Sequence, residues 1–390
     1  VLCKSLGIEH IETAEDLASE TFLSALENWT YKGIPANPTA WLYTVAKNKA
    51  KNFLLREQLF KQKIAGTVKE LAQADEIEID LSEQNIFDSQ LQMLFAICHP
   101  TISTESQIGL ALRILCGFGI EEIATAFLTN KETVNKRLFR AREKLREENV
   151  PIAMPSPTEI DQRLDAVLTT LYLLFNEGYY SESNEDVLRE DLCHEAVRLA
   201  LLLIANPQTD LPKVNALLSL MYFQSSRFAA RKNAEGEMIL YQEQDESLWD
   251  QEIIIKAVYF LHRASGGQQL SKYHLEASIA YWHTQKADTQ EKWENILQLY
   301  NQLLQLEYSP IAALNRTYAL AQANGKQQAI KEAEKLMLEN NPYYFSLLGH
   351  LYTGIEDEKA IAHFAKASSL AKTQAEKKTI QKKLDALNKN

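Results

Sequence analysis

Helix breakers are scarce in this 390-residue sequence, which has 13 glycines and 10 prolines. No convincing alternation of apolar and polar residues marks a strand. Apolar positions instead recur at helical spacing, which predicts an all-α protein. Cysteine is also scarce: Cys3, Cys98, Cys116 and Cys193 are widely spaced with no C-x-x-C pair, which argues against a disulfide frame or a zinc site. Cys98-His99 and His194-Glu195 are isolated pairs without further ligands, so no metal and no cofactor is expected. No apolar run approaches the ~20 residues that span a bilayer, and the start lacks a leader's basic and apolar regions. The expectation is a cytoplasmic chain with no membrane partner. No nucleophile–base pair, paired carboxylates or glycine-rich phosphate loop stands out, which argues against an enzyme.

What is present is length for two or three domains and an uneven charge distribution. The formal charge of −11 argues against a protein coated for nucleic acid, but position matters more than the sum. Trp41–Lys63 holds six basic residues against Glu57 alone, and Lys131–Arg142 holds five against Glu132. Between them, Glu70–Asp88 carries seven acids and no base. Two basic islands flanking an acidic spacer are the footprint to look for in a DNA binder, although each island alone also fits a solvated helix face.

The second island lies in the most informative stretch, Ile120–Leu145. Ile120, Ile123, Ala124 and Phe127 follow the i, i+3, i+4, i+7 pattern of a short helix. Leu128-Thr129-Asn130-Lys131 interrupts it, and Thr129 with Glu132 has the spacing of a capping box. A second helix then buries Val134, Leu138, Ala141 and Leu145, leaving Thr133, Lys136, Arg137, Arg140 and Lys144 outward. A short helix, a tight turn and a basic helix form the helix-turn-helix pattern, whose second helix enters the DNA major groove.

Upstream, residues 1–29 predict one acidic helix with Ala18, Phe22, Ala25 and Trp29 on its apolar face. Tyr31–Pro38 predicts a loop, after which Asn37-Pro38 starts a basic helix, Asn as N-cap and Pro in the first turn. Aromatic residues interleaved with lysines suit single-stranded DNA, whose bases stack on aromatic faces. Trp41 and Phe53 are expected in the core, whereas Trp29 and Tyr31 beside the loop are freer.

Two segments, Asp16-Leu17-Ala18-Ser19-Glu20-Thr21-Phe22-Leu23 and Asn37-Pro38-Thr39-Ala40-Trp41-Leu42-Tyr43-Thr44-Val45-Ala46-Lys47-Asn48-Lys49-Ala50, resemble region 2 of bacterial extracytoplasmic-function sigma factors. The stretch Ile120–Arg146, with Arg140-Ala141-Arg142 near its end, resembles their region 4. The resemblance implies an acidic helix docking on core RNA polymerase through Asp16, Glu20 and Phe22. It implies melting and reading of the promoter's −10 element by Trp29, Tyr31, Lys47, Asn48, Lys49, Lys51 and Arg56. Reading of the −35 element would fall to Lys131, Thr133, Lys136, Arg137 and Arg140. The sequence departs from the family in Ser19, where Gln is usual, and in Asn52, where Asp is common. It begins inside the first helix, so the family's opening turns are expected to be missing.

After Val150-Pro151-Ile152-Ala153-Met154-Pro155-Ser156-Pro157, a proline-rich linker, a separate helical domain is expected. Leu171-Tyr172-Leu173-Leu174-Phe175-Asn176-Glu177-Gly178-Tyr179 resembles the opening of a C-terminal extension that one sigma-factor subgroup carries, with tetratricopeptide-like repeats. The repeats also read directly. Gly349 and Tyr352, then Ala360, Phe364 and Ala367, have the spacing of a helical hairpin, and Asn315, Tyr318, Ala329, Ala333 and Leu336 repeat it. Arg316 and the Asn176–Tyr179 cluster are polar groups in apolar helix, either ligand contacts or structural hydrogen bonds.

The expected plan is therefore region 2 at 1–66, an acidic linker at 67–88, region 4 at 89–149, the proline-rich linker at 150–160 and a tetratricopeptide-like extension at 161–390. Expected partners are RNA polymerase core, promoter DNA and an unidentified protein or small molecule for the extension, which would regulate in cis. Two other readings fit the sequence: a helix-turn-helix regulator that never engages polymerase, and a repeat scaffold with degenerate sigma domains.

Overall fold

The computed structural model describes residues 1–64, 80–127, 129–179, 189–231, 239, 243–267, 269–285, 287–371 and 373–387. Most of the expected acidic linker (67–79) and Leu128 of the expected turn lie outside the described residues, as do the side chains of Lys61 and Lys63. All described regular structure is helical, and the chain divides into two compact units, Val1–Leu173 and Leu174–Asn390.

The first unit opens with α1 (Leu2–Leu6) and α2 (Ile11–Lys32), followed by α3 (Pro38–Ile64). The single helix expected over residues 1–29 is thus broken. Gly7 adopts φ 93°, a conformation open to glycine and costly for other residues, and its N–H caps α1 on the Cys3 carbonyl. The buried face of α2 also differs from the expected one: Ile11, Ala14, Leu17, Thr21 and Ala25 face inward, while Phe22 points out. Thr21 can be buried because its hydroxyl donates to the Leu17 carbonyl at 2.7 Å, which satisfies the polar group within the helix. Ala14 and Leu17 pack with Leu6 and Ala50, and Phe53 and Leu54 close that core from α3. At the start of α3, the Asn37 side chain accepts from the Ala40 N–H at 3.0 Å, as the Asn-Pro signal implies.

Next come α4 (Glu83–Ile97), α5 (Thr104–Leu110), α6 (Ile120–Ala126) and α7 (Lys131–Glu147). α5 runs on through a wide π turn, Ala111–Leu115. Leu91, Leu94, Phe95, Leu110, Leu112, Ile123, Val134, Leu138 and Leu145 are almost wholly buried; the expected apolar face of α7 is the observed one, while on α6 Ile123 and Ala124 are buried and Ile120 and Phe127 only half-buried. The capping differs. Asn130, not Thr129, is the N-cap of α7, its side chain accepting the Thr133 N–H at 2.8 Å. Asparagine is as strong a cap as threonine or stronger, and one residue later it places the first helical turn at Lys131.

The proline-rich segment is non-helical at 151–156, and α8 (Pro157–Tyr179) follows. Most of α8, through Leu173, belongs to the first unit. Ile160, Leu164, Val167, Leu168 and Leu171 are buried, the Arg163 guanidinium donates to the Phe95 carbonyl at 2.6 Å, and the Thr170 hydroxyl donates to the Gln107 side chain at 2.8 Å.

The second unit stacks ten further helices among the described residues: α9 (Glu190–Ile204), α10 (Pro212–Ser225), α11 (Gln251–Ala264), α12 (Lys272–His283), α13 (Gln290–Leu306), α14 (Pro310–Asn324), α15 (Lys326–Glu334), α16 (Pro342–Tyr352), α17 (Asp357–Leu370) and α18 (Gln374–Leu387). Neighbours in sequence pack side by side, notably α13 with α14 and α16 with α17. Ala329, Ala333, Ala360, Phe364 and Ala367 are buried, the small and aromatic positions of the hairpin pattern. A Cβ on Gly349 would lie 2.8 Å from the Phe364 ring, so glycine is what lets α16 and α17 approach.

Candidate nucleic-acid interface

The candidate residues fall on three surfaces, all in the first unit. The first is the outer face of α2. Phe22, Leu23 and Leu26 are 60%, 55% and 69% exposed, too much apolar area in one strip for a helix that only packs inward. Asp16 and Glu20 are exposed on the same helix, so the strip is apolar with an acidic border. The apolar strip is visible only once Leu17, Thr21 and Ala25 are seen to take the inner face.

The second surface joins the α2–α3 turn to α3. Tyr31 is 89% exposed, while Trp29 is half-buried with its ring edge-to-face against Trp41, the centroids 5.5 Å apart. Trp29 is therefore the less free of the two aromatics. Asn48 and Arg56 are exposed, and Lys47, Lys49 and Lys51 are half-buried. The Lys49 ammonium sits 2.9 Å from the Glu20 carboxylate. An exposed pair of this kind contributes little to stability and can exchange its partner for a phosphate.

The third surface is the outer face of α7. Thr133, Lys136, Arg137 and Arg140 form one wall of a groove of about 520 Å³, and Ile102, Ser103, Glu105 and Ser106, around the start of α5, form the other. Lys131 pairs with Glu121, and Lys136 with Glu132 at 2.6 Å, both exposed. The Arg137 guanidinium lies 6.0 Å from the centre of the Phe127 ring. The Glu105 carboxyl is held below its ordinary value by its own backbone N–H and the Ser103 hydroxyl, with the Arg137 charge adding to them. Sequence reasoning missed this second wall, because its residues lie some thirty positions before α7 with nothing in their spacing to link them.

It also missed the fate of Arg142. This side chain, 12% exposed, turns away from the groove and places its two terminal nitrogens 3.4 Å from Glu12 and 2.9 Å from Glu15, near the start of α2. Arg113 reaches Glu15 at 3.4 Å, and Arg146 donates to the Glu9 carbonyl at 3.1 Å.

In the second unit, Arg316 donates to the Asn301 side chain at 2.5 Å, a structural bond within the stack. Tyr179 is buried, its hydroxyl accepting from Arg227 at 3.2 Å and its ring covered by Arg231 at 3.7 Å. Gly178 is in close packing too: a Cβ there would meet the Arg189 carbonyl at 2.6 Å. Cys98 and Cys193 are buried thiols pushed up to about 12 by desolvation, which makes them poor nucleophiles. Among the described residues, no three His, Cys, Asp or Glu side chains converge on a metal site, and no helix is long and apolar enough to cross a membrane.

The apolar strip with its acidic border and the aromatic-and-lysine helix lie in a segment that matches a sigma-factor region, so the first unit is sigma-factor-like. Sigma-70 region 2 matches residues 2–60, and a family of unknown function (DUF6596) matches residues 163–265. The chain is 31% identical over 386 residues to an uncharacterized protein of Rhizobium meliloti, covering 97% of this chain and 90% of that one. It belongs to the family of that protein. It is also 30% identical over 132 residues to the ECF RNA polymerase sigma factor BldN of Streptomyces coelicolor, a match over 33% of this chain and 48% of that one. No solved structure matches the chain.

Proposed function

We propose that the protein is an alternative sigma factor of the extracytoplasmic-function type, which directs core RNA polymerase to particular promoters and is regulated in cis by its C-terminal helical domain. The observation that carries this reading is the pairing of the region 2 match with a separate cationic groove wall on α7. A DNA-binding regulator needs only the second; a sigma factor needs both. On this reading, α2 docks on polymerase through Asp16, Glu20 and Phe22, with Leu23 and Leu26 enlarging the apolar contact. Trp29, Tyr31, Lys47, Asn48, Lys49, Lys51 and Arg56 open and hold the −10 element. Helix α7 is the recognition helix of a region 4 helix-turn-helix, with Lys131, Thr133, Lys136, Arg137 and Arg140 facing the −35 element. The stacked hairpins of the second unit form a tetratricopeptide-like array, an architecture suited to holding a protein or small-molecule partner.

Phosphate contacts dominate affinity and base contacts set choice. Replacing Lys136 by alanine is therefore expected to weaken binding to all sequences alike and to lower the salt slope by about one unit. Arg137→Ala is expected to relax base choice as well, at about 1–3 kcal/mol if the contact is bidentate. Titration of labelled promoter duplex at several salt concentrations reads both effects. Unchanged slopes in the two variants would place α7 away from DNA.

A further inference from the structure

Helix α11 carries more apolar surface than one packed side can hide. Seven of its 14 residues, Ile253-Ile254-Ile255 and Val258-Tyr259-Phe260-Leu261, are large apolar types, and they fall on every side of the helix. A helix that is apolar all round is ordinarily covered all round. Here only Ala257 and Ala264 are fully buried. The inner side is fixed on α10: the Ser219 hydroxyl donates to the Ala257 carbonyl at 2.8 Å, and the Phe260 ring stacks on Tyr222 with centroids 5.8 Å apart. That rotation turns Ile255, Val258 and Tyr259 outward, 68%, 40% and 56% exposed. They leave about 300 Å² of contiguous apolar surface, the size of patch that commonly marks a contact site.

The strip is complementary to itself. Glu252, Ile255, Tyr259 and His262 lie within about 80° of arc on the outer face of α11. Two copies of the helix laid antiparallel, with the two-fold axis beside Ala257, set Ile255 of one against Tyr259 of the other and Glu252 against His262. Glu252 and His262 are about 15 Å apart along the helix, a span over which helices crossing at about 20° stay in contact. Charge favours the same occupant. A chain of net −11 repels a second copy over most of its surface. On this face Glu252 is balanced by Lys256, and Glu252, Lys256 and His262 are exposed with no ion pair among the described residues, whereas the neighbouring Arg263 is held by Asp210. A parallel copy would set Glu252 against itself, and a strongly charged partner would leave one end of the strip facing its own sign.

We infer that the outer face of α11 is a contact between two copies of this chain, paired antiparallel about a two-fold axis. Each interaction in such a contact occurs twice. The apolar area, about 600 Å² over both copies, is at the low end for a specific interface, so the dimer forms in the micromolar range rather than the nanomolar. The inference uses only the surface of the second unit and goes beyond the sigma-factor reading without depending on it.

Sedimentation velocity of the full chain between about 1 and 200 µM is expected to show the mass rising from one chain to two. Ile255→Glu puts an unpaired carboxylate into the contact and is expected to weaken association about 100-fold. Glu252→Lys alone sets two bases across the axis and His262→Glu alone sets two carboxylates there, so each is expected to weaken association about tenfold. The two together place lysine opposite carboxylate and are expected to restore the association of the unmodified chain. That restoration separates direct pairing from loss of fold, which circular dichroism of each variant checks independently. A single chain at every concentration overturns the inference. So does association that Ile255→Glu leaves unchanged, a double exchange that associates no better than its single variants, or a mass that grows past two chains. Neither polymerase nor DNA is present, so the masses stand whatever the chain's role in transcription.

Discussion

Replacing Phe22 and Leu26 together by aspartate is expected to lower affinity for core RNA polymerase by about 100-fold or more while leaving the fold intact. The two side chains are 60% and 69% exposed and one helical turn apart, so the change removes apolar surface from solvent rather than from the core. Surface substitutions of that kind usually shift stability by only about 0.5 kcal/mol. At an interface, an apolar anchor commonly contributes about 2 kcal/mol, and each 1.4 kcal/mol is tenfold in affinity, so two anchors reach the stated loss. Added negative charge on a helix already bearing Asp16, Glu20 and Glu27 deepens the effect wherever the partner surface is apolar. Fluorescence titration of labelled protein with core enzyme measures it, with circular dichroism as the folding control. Equal affinities would mean that the strip serves some other contact.

Acidification below about pH 6.5 is expected to destabilise the second unit through its buried histidines. His283 is driven down to about 3, first by burial and then by the charges of Arg227 and Lys292. Burial also lowers His274, His350 and His363. Each of these imidazoles is neutral in the folded chain at neutral pH. The unfolded chain, with histidines near the ordinary ~6.5, takes up protons first as pH falls. Stability is therefore full above about pH 6.5 and declines below it, for His283 continuing toward pH 3 at up to about 1.4 kcal/mol per pH unit. The shifted carboxyls Asp191, Asp245 and Glu332 all lie below their ordinary values, so their own losses fall at lower pH and leave the window between about 6.5 and 5 to histidine. At pH 5 His283 alone accounts for as much as about 2 kcal/mol, or several degrees in melting temperature for a unit of this size. Urea melts at pH 7.5, 6 and 5 read the slope, and His283→Phe should flatten it. Stability independent of pH across that range would contradict the buried neutral imidazoles.

The all-α class was legible because helical periodicity and the shortage of Gly and Pro point the same way. The inner face of α7 was legible residue by residue, since Val134, Leu138, Ala141 and Leu145 are unambiguous core types at strict spacing. The inner face of α2 was not. A buried threonine whose hydroxyl bonds within the helix looks polar in sequence, and an exposed phenylalanine looks like core. The placement of α8 was also hidden. Its apolar stripe and the preceding prolines read equally well as the start of a separate domain, whereas in the structure the bonds from Arg163 to Phe95 and from Thr170 to Gln107, with its buried apolar face, tie it to the first unit. The Arg142 cluster depends on residues some 130 positions apart, which no local pattern can connect.

The position of α8 determines how the central claim is best tested. A truncation before Pro157 would strip buried surface from the first unit, so the shortened chain should end after Leu173, where the first unit ends. The decisive measurement is transcription in vitro from genomic fragments, including the gene's own upstream region, by core RNA polymerase with the full chain and with the chain so shortened. The account predicts discrete transcripts that depend on the added protein, with the difference between the two forms giving the sign of the C-terminal unit's control. No transcripts from either form, with folded protein that fails to co-elute with core, would contradict it.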